Sequence, residues 1–287
     1  MNKMDYVTLN NGIKMPMVGF GVFEISKEET ARCVYDALEV GYRLIDTAQA
    51  YYNEEEVGIG IQQAMREFGI KREDIFLTTK VWVTEFGYEK TRASVEESLK
   101  KLKTDYLDLV LIHQCLSDYY GAYHALEDLY DEGKIRAIGI SNFSAERMAD
   151  IATFKRIVPT VNQVETHMFW QQYYLHEWME KYHIQHEAWG PLAQHRLKEI
   201  IANPIVKEIA ENHGKTPAQI ALRQQVQRGI VVIPKSTHKE RMKQNLDIFD
   251  FELTEDEMAR LKLLDENKSM WAEYDDPMIV QYAMAED

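Results

Sequence analysis

Short apolar runs alternate along the chain with stretches in which apolar residues return every three or four positions. The short runs predict buried strands at 17–20, 43–46, 75–80, 107–112, 135–140, 159–164, 184–188 and 230–233. The longer stretches predict helices at 28–40, 54–68, 88–102, 120–132, 145–153, 172–182, 203–213 with 217–228, and 238–245. Gly41, Gly69 and Gly133 stand where helix C-terminal caps belong, and Ser26 and Ser144 suit N-caps. Ahead of the first repeat, Tyr6 to Leu9, an Asn10-Asn11-Gly12 turn and Ile13 to Met15 read as a hairpin able to plug a barrel bottom. Strand–helix repeats with no Pro/Gly/Ser-rich linker point to one domain over 1–287, a closed parallel (β/α)8 TIM barrel. A doubly wound open sheet is the alternative, because periodicity does not prove closure. From about Asp265 onward, Met270, Trp271, Tyr274, Met278, Ile279 and Tyr282 lack clear periodicity and predict an ordered tail over one barrel end, above the site.

Composition narrows the function classes. A hydrophobic fraction of 45% with 28% charged residues is that of a folded globular chain. The formal net charge of −14 disfavours nucleic acid or an anionic membrane as partner, while leaving room for a local basic anion site. No apolar run approaches the ~20 residues that span a bilayer, and the N-terminus lacks the apolar core of a secretory signal. Sparse cysteines, Cys33 and Cys115, suit the reducing cytoplasm and give no metal spacing. His176, His183 and His186 span a helix end and the next strand without a helping cysteine, so no metal is expected. A monomer or weak homo-oligomer is expected.

Three consecutive predicted strands end on polar residues. The run Ile45-Asp46 leads, five positions on, to Tyr51; Ile75 to Thr79 ends on Lys80; Leu107 to Ile112 is followed by His113. In a parallel barrel all C-terminal strand ends face one rim, so these four residues would share a pocket. A phenol with an ordinary pKa near ~10 is a competent acid at neutral pH. A lysine beside it favours the phenolate, and an aspartate holds that lysine. A neutral imidazole N–H can orient a carbonyl. The set protonates an oxygen on which negative charge develops. It lacks the nucleophile of a Ser–His–Asp triad and a second carboxylate for glycoside hydrolysis. A barrel lyase or isomerase using Lys80 as a Schiff-base nucleophile is a rival, opposed by Asp46, which favours a charged lysine. Gly19-Phe20-Gly21 and Gly58-Ile59-Gly60 lack the third glycine of a dinucleotide fingerprint, and Gly214-Lys215-Thr216 lacks the strand of a phosphate loop. The run Glu54-Glu55-Glu56 reads as a complement to a helix dipole.

With these residues in place the chain resembles the aldo-keto reductases over essentially its full length, in wording nearest the bacterial 2,5-diketo-gluconate and methylglyoxal reductases. The matching motifs are Gly19-Phe20-Gly21, Asp46-Thr47-Ala48 to Tyr51, Asn53-Glu54, Val57-Gly58, Thr79-Lys80-Val81-Trp82 and Leu109 to His113-Gln114. Gly139 to Phe143, Asn162-Gln163-Val164-Glu165, Trp189-Gly190-Pro191 and Ile233 to Ser236 follow in order. The resemblance implies reduction of aldehydes or ketones with NADPH, with Asp46, Tyr51, Lys80 and His113 as the catalytic tetrad. It assigns Ser141, Asn142 and Gln163 to the nicotinamide carboxamide and Trp189 to the ring, and places Gly21, Gly190, Pro191 and Leu192 along the cofactor. Adenosine 2′-phosphate falls to Lys235, Ser236 and Arg241, in a basic island at a predicted helix start, with Thr237 beside them along the cofactor, and adenine to Gln244 and Asn245. Phe23, Trp82, Trp170 and Trp271 would wall the carbonyl pocket. Tyr52, Met168 and Trp170 are bulkier than the family pattern, which predicts a crowded site mouth, and 192–203 departs from a Gly/Asn-rich cofactor-covering loop. A nicotinamide-binding regulatory or sensor subunit on the same fold is the alternative function.

Overall fold

A computed structural model describes residues 5–271 and 276–285, with the side chains of Tyr282, Met284 and Ala285 outside the description; Tyr274 also falls outside it. The hairpin pairs β1 (Tyr6–Thr8) with β2 (Lys14–Pro16) in antiparallel register. Eight parallel strands follow: β3 (Phe20–Gly21), β4 (Leu44–Asp46), β5 (Phe76–Val81), β6 (Leu109–Ile112), β7 (Ile138–Ser141), β8 (Val161–Glu165), β9 (Gln185–Trp189) and β10 (Val231–Val232). Each pairs with the next in chain order. The ring closes where Val18 bridges Val232, with Gly19 N–H donating to Val232 O at 2.8 Å and Val232 N–H to Met17 O at 3.0 Å. The chain is thus a closed (β/α)8 barrel, and the open-sheet alternative falls.

Helices α1 (Lys27–Val40), α2 (Glu54–Phe68), α3 (Tyr88–Lys101), α4 (Tyr119–Asp131), α5 (Ala145–Phe154) and α6 (Tyr173–Tyr182) surround the strands. They are followed by α7 (Leu197–Ala202), α8 (Pro204–His213), α9 (Pro217–Gln227), α10 (Lys239–Leu246), α11 (Glu255–Lys262) and α12 (Met278–Ala285). None of the described helices is long and apolar enough to cross a membrane. All residues of β5 and β6 are buried, as expected of strands covered on one face by helices and on the other by the barrel interior. The hairpin turn holds the bottom of the barrel: Asn10 Nδ2 donates to Pro159 O at 2.9 Å and Asn11 Nδ2 to Arg136 O at 3.1 Å.

The glycines of the fingerprint-like run prove to be packing residues. A Cβ at Gly58 would lie 2.6 Å from Lys101 O, and one at Gly60 would lie 2.5 Å from Ala31 O, so both let helices approach closely. Gly214 caps α8 in left-handed backbone, Thr216 caps α9, and Lys215 pairs with Asp247 and Asp250. Ser26 and Ser144 occupy N-cap positions with extended backbone, but neither side chain caps; Ser144 Oγ donates instead to Glu146 at 2.7 Å. Glu54, Glu55 and Glu56 stand in the first turn of α2, as the dipole reading expects. Glu54 is also buried, accepts from Thr79 Oγ1 at 2.7 Å, and burial raises its carboxyl above the usual range, against hydrogen bonds from Thr79 and Ser98.

Candidate active site

The C-terminal ends of the barrel strands meet at a cavity of about 550 Å³. Asp46 ends β4 and Lys80 stands one residue before the end of β5; neighbouring register carries both side chains inward. Lys80 is fully buried and lies beneath the cavity, where its Nζ reaches Asp46 Oδ1 at 2.5 Å, Thr47 O at 3.0 Å and Tyr51 Oη at 3.2 Å. Burial alone would pull the ammonium down, yet Asp46 and then Tyr51 outweigh it and leave Lys80 above the ordinary lysine range. A lysine held this firmly as a cation is a poor Schiff-base nucleophile. The short helical turn Gln49–Tyr51 brings the phenol to the cavity wall, with the Phe23 ring 5.0 Å and the His113 ring 5.8 Å away. His113 is buried and held well below its usual range, by burial first and by the Lys80 charge second. Its imidazole is neutral at physiological pH and its Nδ1 has no partner among the described residues. The Trp82 ring stands edge-on to it at 4.9 Å.

The next strand ends carry the polar rim. Asn142, in left-handed backbone at φ 62°, donates to His113 O at 3.1 Å and accepts from Trp189 Nε1 at 2.9 Å, so it locks the Trp189 indole in place. Gln163 directs its amide nitrogen to Asp46 Oδ2 at 2.8 Å and to Glu187 Oε2 at 2.9 Å. Gly21, Phe23, Trp82, Ser141, Asn142, Gln163, Trp170, Trp189, Gly190, Pro191, Leu192 and Lys235 all line the cavity with Asp46, Tyr51 and His113. Ser236, Thr237, Arg241, Gln244 and Asn245 do not; they lie on the loop after β10 and on α10. Arg241 and Lys235 are exposed and, among the described residues, neither is ion-paired, whereas Lys239 is taken up by Glu39 and Asp36. Ser236 and Asn245 are buried.

The crowded mouth is only partly as expected. Trp170 lines the cavity, but Met168 is fully buried in a second apolar cluster and Tyr52 is an exposed left-handed residue away from it. Segment 192–203 is no open loop. It forms a short turn and α7, and its Arg196 pairs with Glu199 and with Glu266 of the tail at 2.7 Å. The tail does reach the site: Ser269, Trp271, Ile279 and Ala283 line the cavity. Two glutamates make contacts that the sequence motifs do not announce. Glu165 accepts from Ser269 Oγ at 2.5 Å and Met270 N–H at 2.8 Å, anchoring the tail, and Trp271 meets Trp189 edge-on at 6.3 Å. Glu187 sits inside the barrel under Gln163. The signal was a carboxylate on a short strand, within β9 for Glu187 and at the end of β8 for Glu165.

A model of the aldo/keto reductase family matches residues 17–266. The chain belongs to the aldo/keto reductase family. It is 47% identical over 262 residues to the uncharacterized oxidoreductase YtbE of Bacillus subtilis, covering 91% of this chain and 92% of that one. It is 45% identical over 266 residues to the glyoxal reductase of Bacillus subtilis, covering 92% and 94%. Among solved structures, an aldo-keto reductase from a deep-sea metagenome library superimposes with a TM-score of 0.91 at 45% identity, covering 94% of this chain and 98% of that one. The Bombyx mori aldo-keto reductase in complex with NADP gives 0.89 at 31% identity, covering 97% of each chain. As a member of this family the protein is an oxidoreductase.

Proposed function

We propose that this aldo-keto reductase reduces aldehydes or ketones to alcohols with NADPH, and that Tyr51 gives the proton to the carbonyl oxygen. The observation that carries it is the buried ammonium of Lys80, which touches both Asp46 Oδ1 and the Tyr51 hydroxyl. That contact stabilises negative charge on the phenolic oxygen as its proton leaves, while Asp46 prevents an uncompensated buried cation. His113, neutral and 5.8 Å ring to ring from Tyr51, donates to the same carbonyl oxygen and orients it.

The cavity residues fit a dinucleotide. Trp189 offers a fixed flat face, and Ser141, Asn142 and Gln163 offer hydroxyl and amide groups for a carboxamide. Gly21 lines the cavity, and its missing side chain lets the backbone pass close to Ile233 O, 3.0 Å from where a Cβ would stand. Unpaired Lys235 and Arg241 suit a dianionic phosphate near the start of α10. When bound, NADPH supplies the hydride to the carbonyl carbon. Phe23, Trp82 and Trp170 then hold the carbonyl compound by apolar contact and exclude water.

The test is loss of NADPH absorbance with purified protein and a panel of carbonyls. A relative named glyoxal reductase puts methylglyoxal and phenylglyoxal first, beside a nitrobenzaldehyde and a diketo sugar acid. Oxidation that requires both protein and carbonyl supports the assignment. Tight NADPH binding without oxidation of any member would favour a regulatory or sensor role.

A further inference from the structure

Beneath the proposed tetrad lies a second carboxyl that the proton transfer does not use. Glu187 stands in the middle of β9, fully buried, beside Gln163 of β8 in register and Val231 of β10 on its other flank. Across the barrel interior it faces Asp46 of β4 and Lys80 of β5. Asp46 and Glu187 therefore share one amide nitrogen, that of Gln163, at 2.8 Å and 2.9 Å. The other oxygen of Glu187, Oε1, is buried and has no partner among the described residues. The polar and charged groups facing Glu187 are Asp46, Gln163 and Lys80, so one cation serves two carboxyls. Asp46 has that cation in direct contact at 2.5 Å. A second buried anion would be uncompensated, and burial of an unpaired charge is costly enough that such a group takes up a proton instead.

We propose that Glu187 is a positioning residue of the reductase site: as a neutral carboxyl it tethers the Gln163 amide together with Asp46 and leaves Asp46 the sole counter-anion of Lys80. Two consequences follow, and both rest on the reductase assignment for their meaning. With its nitrogen tied down on both sides, Gln163 keeps its carbonyl for the cavity, which is the acceptor a carboxamide N–H requires. Ionisation of Glu187 adds a negative charge beside Asp46 and Lys80. Loss of the Tyr51 proton, which creates another negative charge, then becomes harder. Burial, followed by the Asp46 charge, raises the Glu187 carboxyl to about 8, so this brake engages within the accessible pH range.

The test compares wild type with Glu187→Gln, which keeps an acceptor for Gln163 but cannot ionise, and Glu187→Met, which removes both tether and charge. Replacing a buried ionisable group by an apolar one of similar size is often tolerated, and thermal melting checks each variant. Profiles of kcat/KM from about pH 6 to about pH 10, each scaled to its own plateau, read the brake. Wild type is expected to fall about three- to tenfold through a limb near pH 8, and either variant that folds is expected to lack that limb. A wild-type profile flat through this range, or the same limb in a folded variant, overturns the proposal. The tether is read without turnover, from NADPH affinity by quenching of tryptophan fluorescence. Glu187→Met is expected to bind about fivefold or more weakly, with Glu187→Gln restoring most of the loss. Equal affinity of the Met variant and wild type also overturns the proposal. If wild type binds NADPH but oxidises it with no carbonyl, the reductase assignment fails, while the tether is still judged by the binding arm.

Discussion

Two buried polar clusters flank β9, one inside the barrel and one outside, built from adjacent residues that strand alternation sends to opposite faces. Inside, Glu187 joins Asp46, Lys80, Gln163 and Tyr51. Outside, His186 meets His176 of α6, Nδ1 to Nδ1 at 3.1 Å, and Thr166 Oγ1 at 2.8 Å. Nearby, Arg228 donates to Gln171 O at 2.8 Å and lies over the Tyr173 ring at 4.0 Å. The inner cluster contains opposite charges in contact and opens on a cavity through Asp46, Tyr51, Gln163 and His113. The outer one brings together two neutral imidazoles and a guanidinium, and none of its members lines that cavity. Burial of polar residues therefore does not by itself mark a reactive site. What distinguishes the inner cluster is a charge whose effect is delivered to a group facing open space.

Tyr51→Phe should break the inner cluster chemically while sparing its packing. Turnover is expected to fall about 10²- to 10⁴-fold, with NADPH affinity and melting temperature close to wild type. Near-normal turnover in that variant would remove Tyr51 as the proton donor. Lys80→Met goes further, because it strands the Asp46 carboxylate in the interior. Breaking a fully buried pair costs about 3–5 kcal/mol, so chemical denaturation should show a much lower midpoint along with lost activity. A variant as stable as wild type would mean that the pair is not the buried contact seen here at 2.5 Å.

How much of this contrast was legible in the sequence depended on position within the strand. Asp46, Lys80 and His113 stood out because each follows an apolar run, and a barrel brings such ends to one rim. Glu187 is not legible because a carboxylate within a short strand looks the same in sequence whether it faces the helix layer or the barrel interior, and Glu165 is legible as a motif residue but not as the anchor of the tail. At Glu54 the acidic helix start is legible and fits the dipole, while only packing reveals that Thr79 lies opposite. Helix α11 carried a readable signal, Thr254 and Glu257 in a reciprocal cap with bonds of 3.2 Å and 2.8 Å, that apolar periodicity alone overlooked. The short α7 and α12 had no comparable cue; at the start of α7, Arg196 meets Glu266 of the tail, a contact that the apolar pattern does not show.

Arg241→Ala sharpens the contrast at the rim. Its unpaired guanidinium lies outside the cavity, so its loss should leave the chemistry intact and weaken NADPH about tenfold or more. NADH, without the 2′-phosphate, should be nearly unaffected. Fluorescence titration with both cofactors decides it, and equal weakening would mean that the phosphate is held elsewhere.

The smallest effect is expected in the outer cluster, and it concerns stability alone. His176 is held below its usual range by burial and then by Arg228; His186 is held well below it by burial, then by His176 and Arg228. Between the two Nδ1 atoms one ring must donate and the other accept, so a proton on both destroys the bond. These folded-state shifts are downward from the ordinary value of 6.5. The unfolded chain therefore takes up protons first as pH falls, and stability present above 6.5 is lost progressively below it. Each such histidine contributes a slope of up to about 1.4 kcal/mol per pH unit. His113 adds to the slope with the same sign. His176→Gln keeps a donor and an acceptor for His186 but cannot charge, so its loss of stability from about pH 6.5 to about pH 5 should be shallower than wild type by about one-third. Turnover at neutral pH should not follow, since the Gln side chain never reaches the cavity. Urea midpoints at the two pH values measure the difference; parallel slopes would show that the outer pair accepts its charge in the folded state as readily as in the unfolded one.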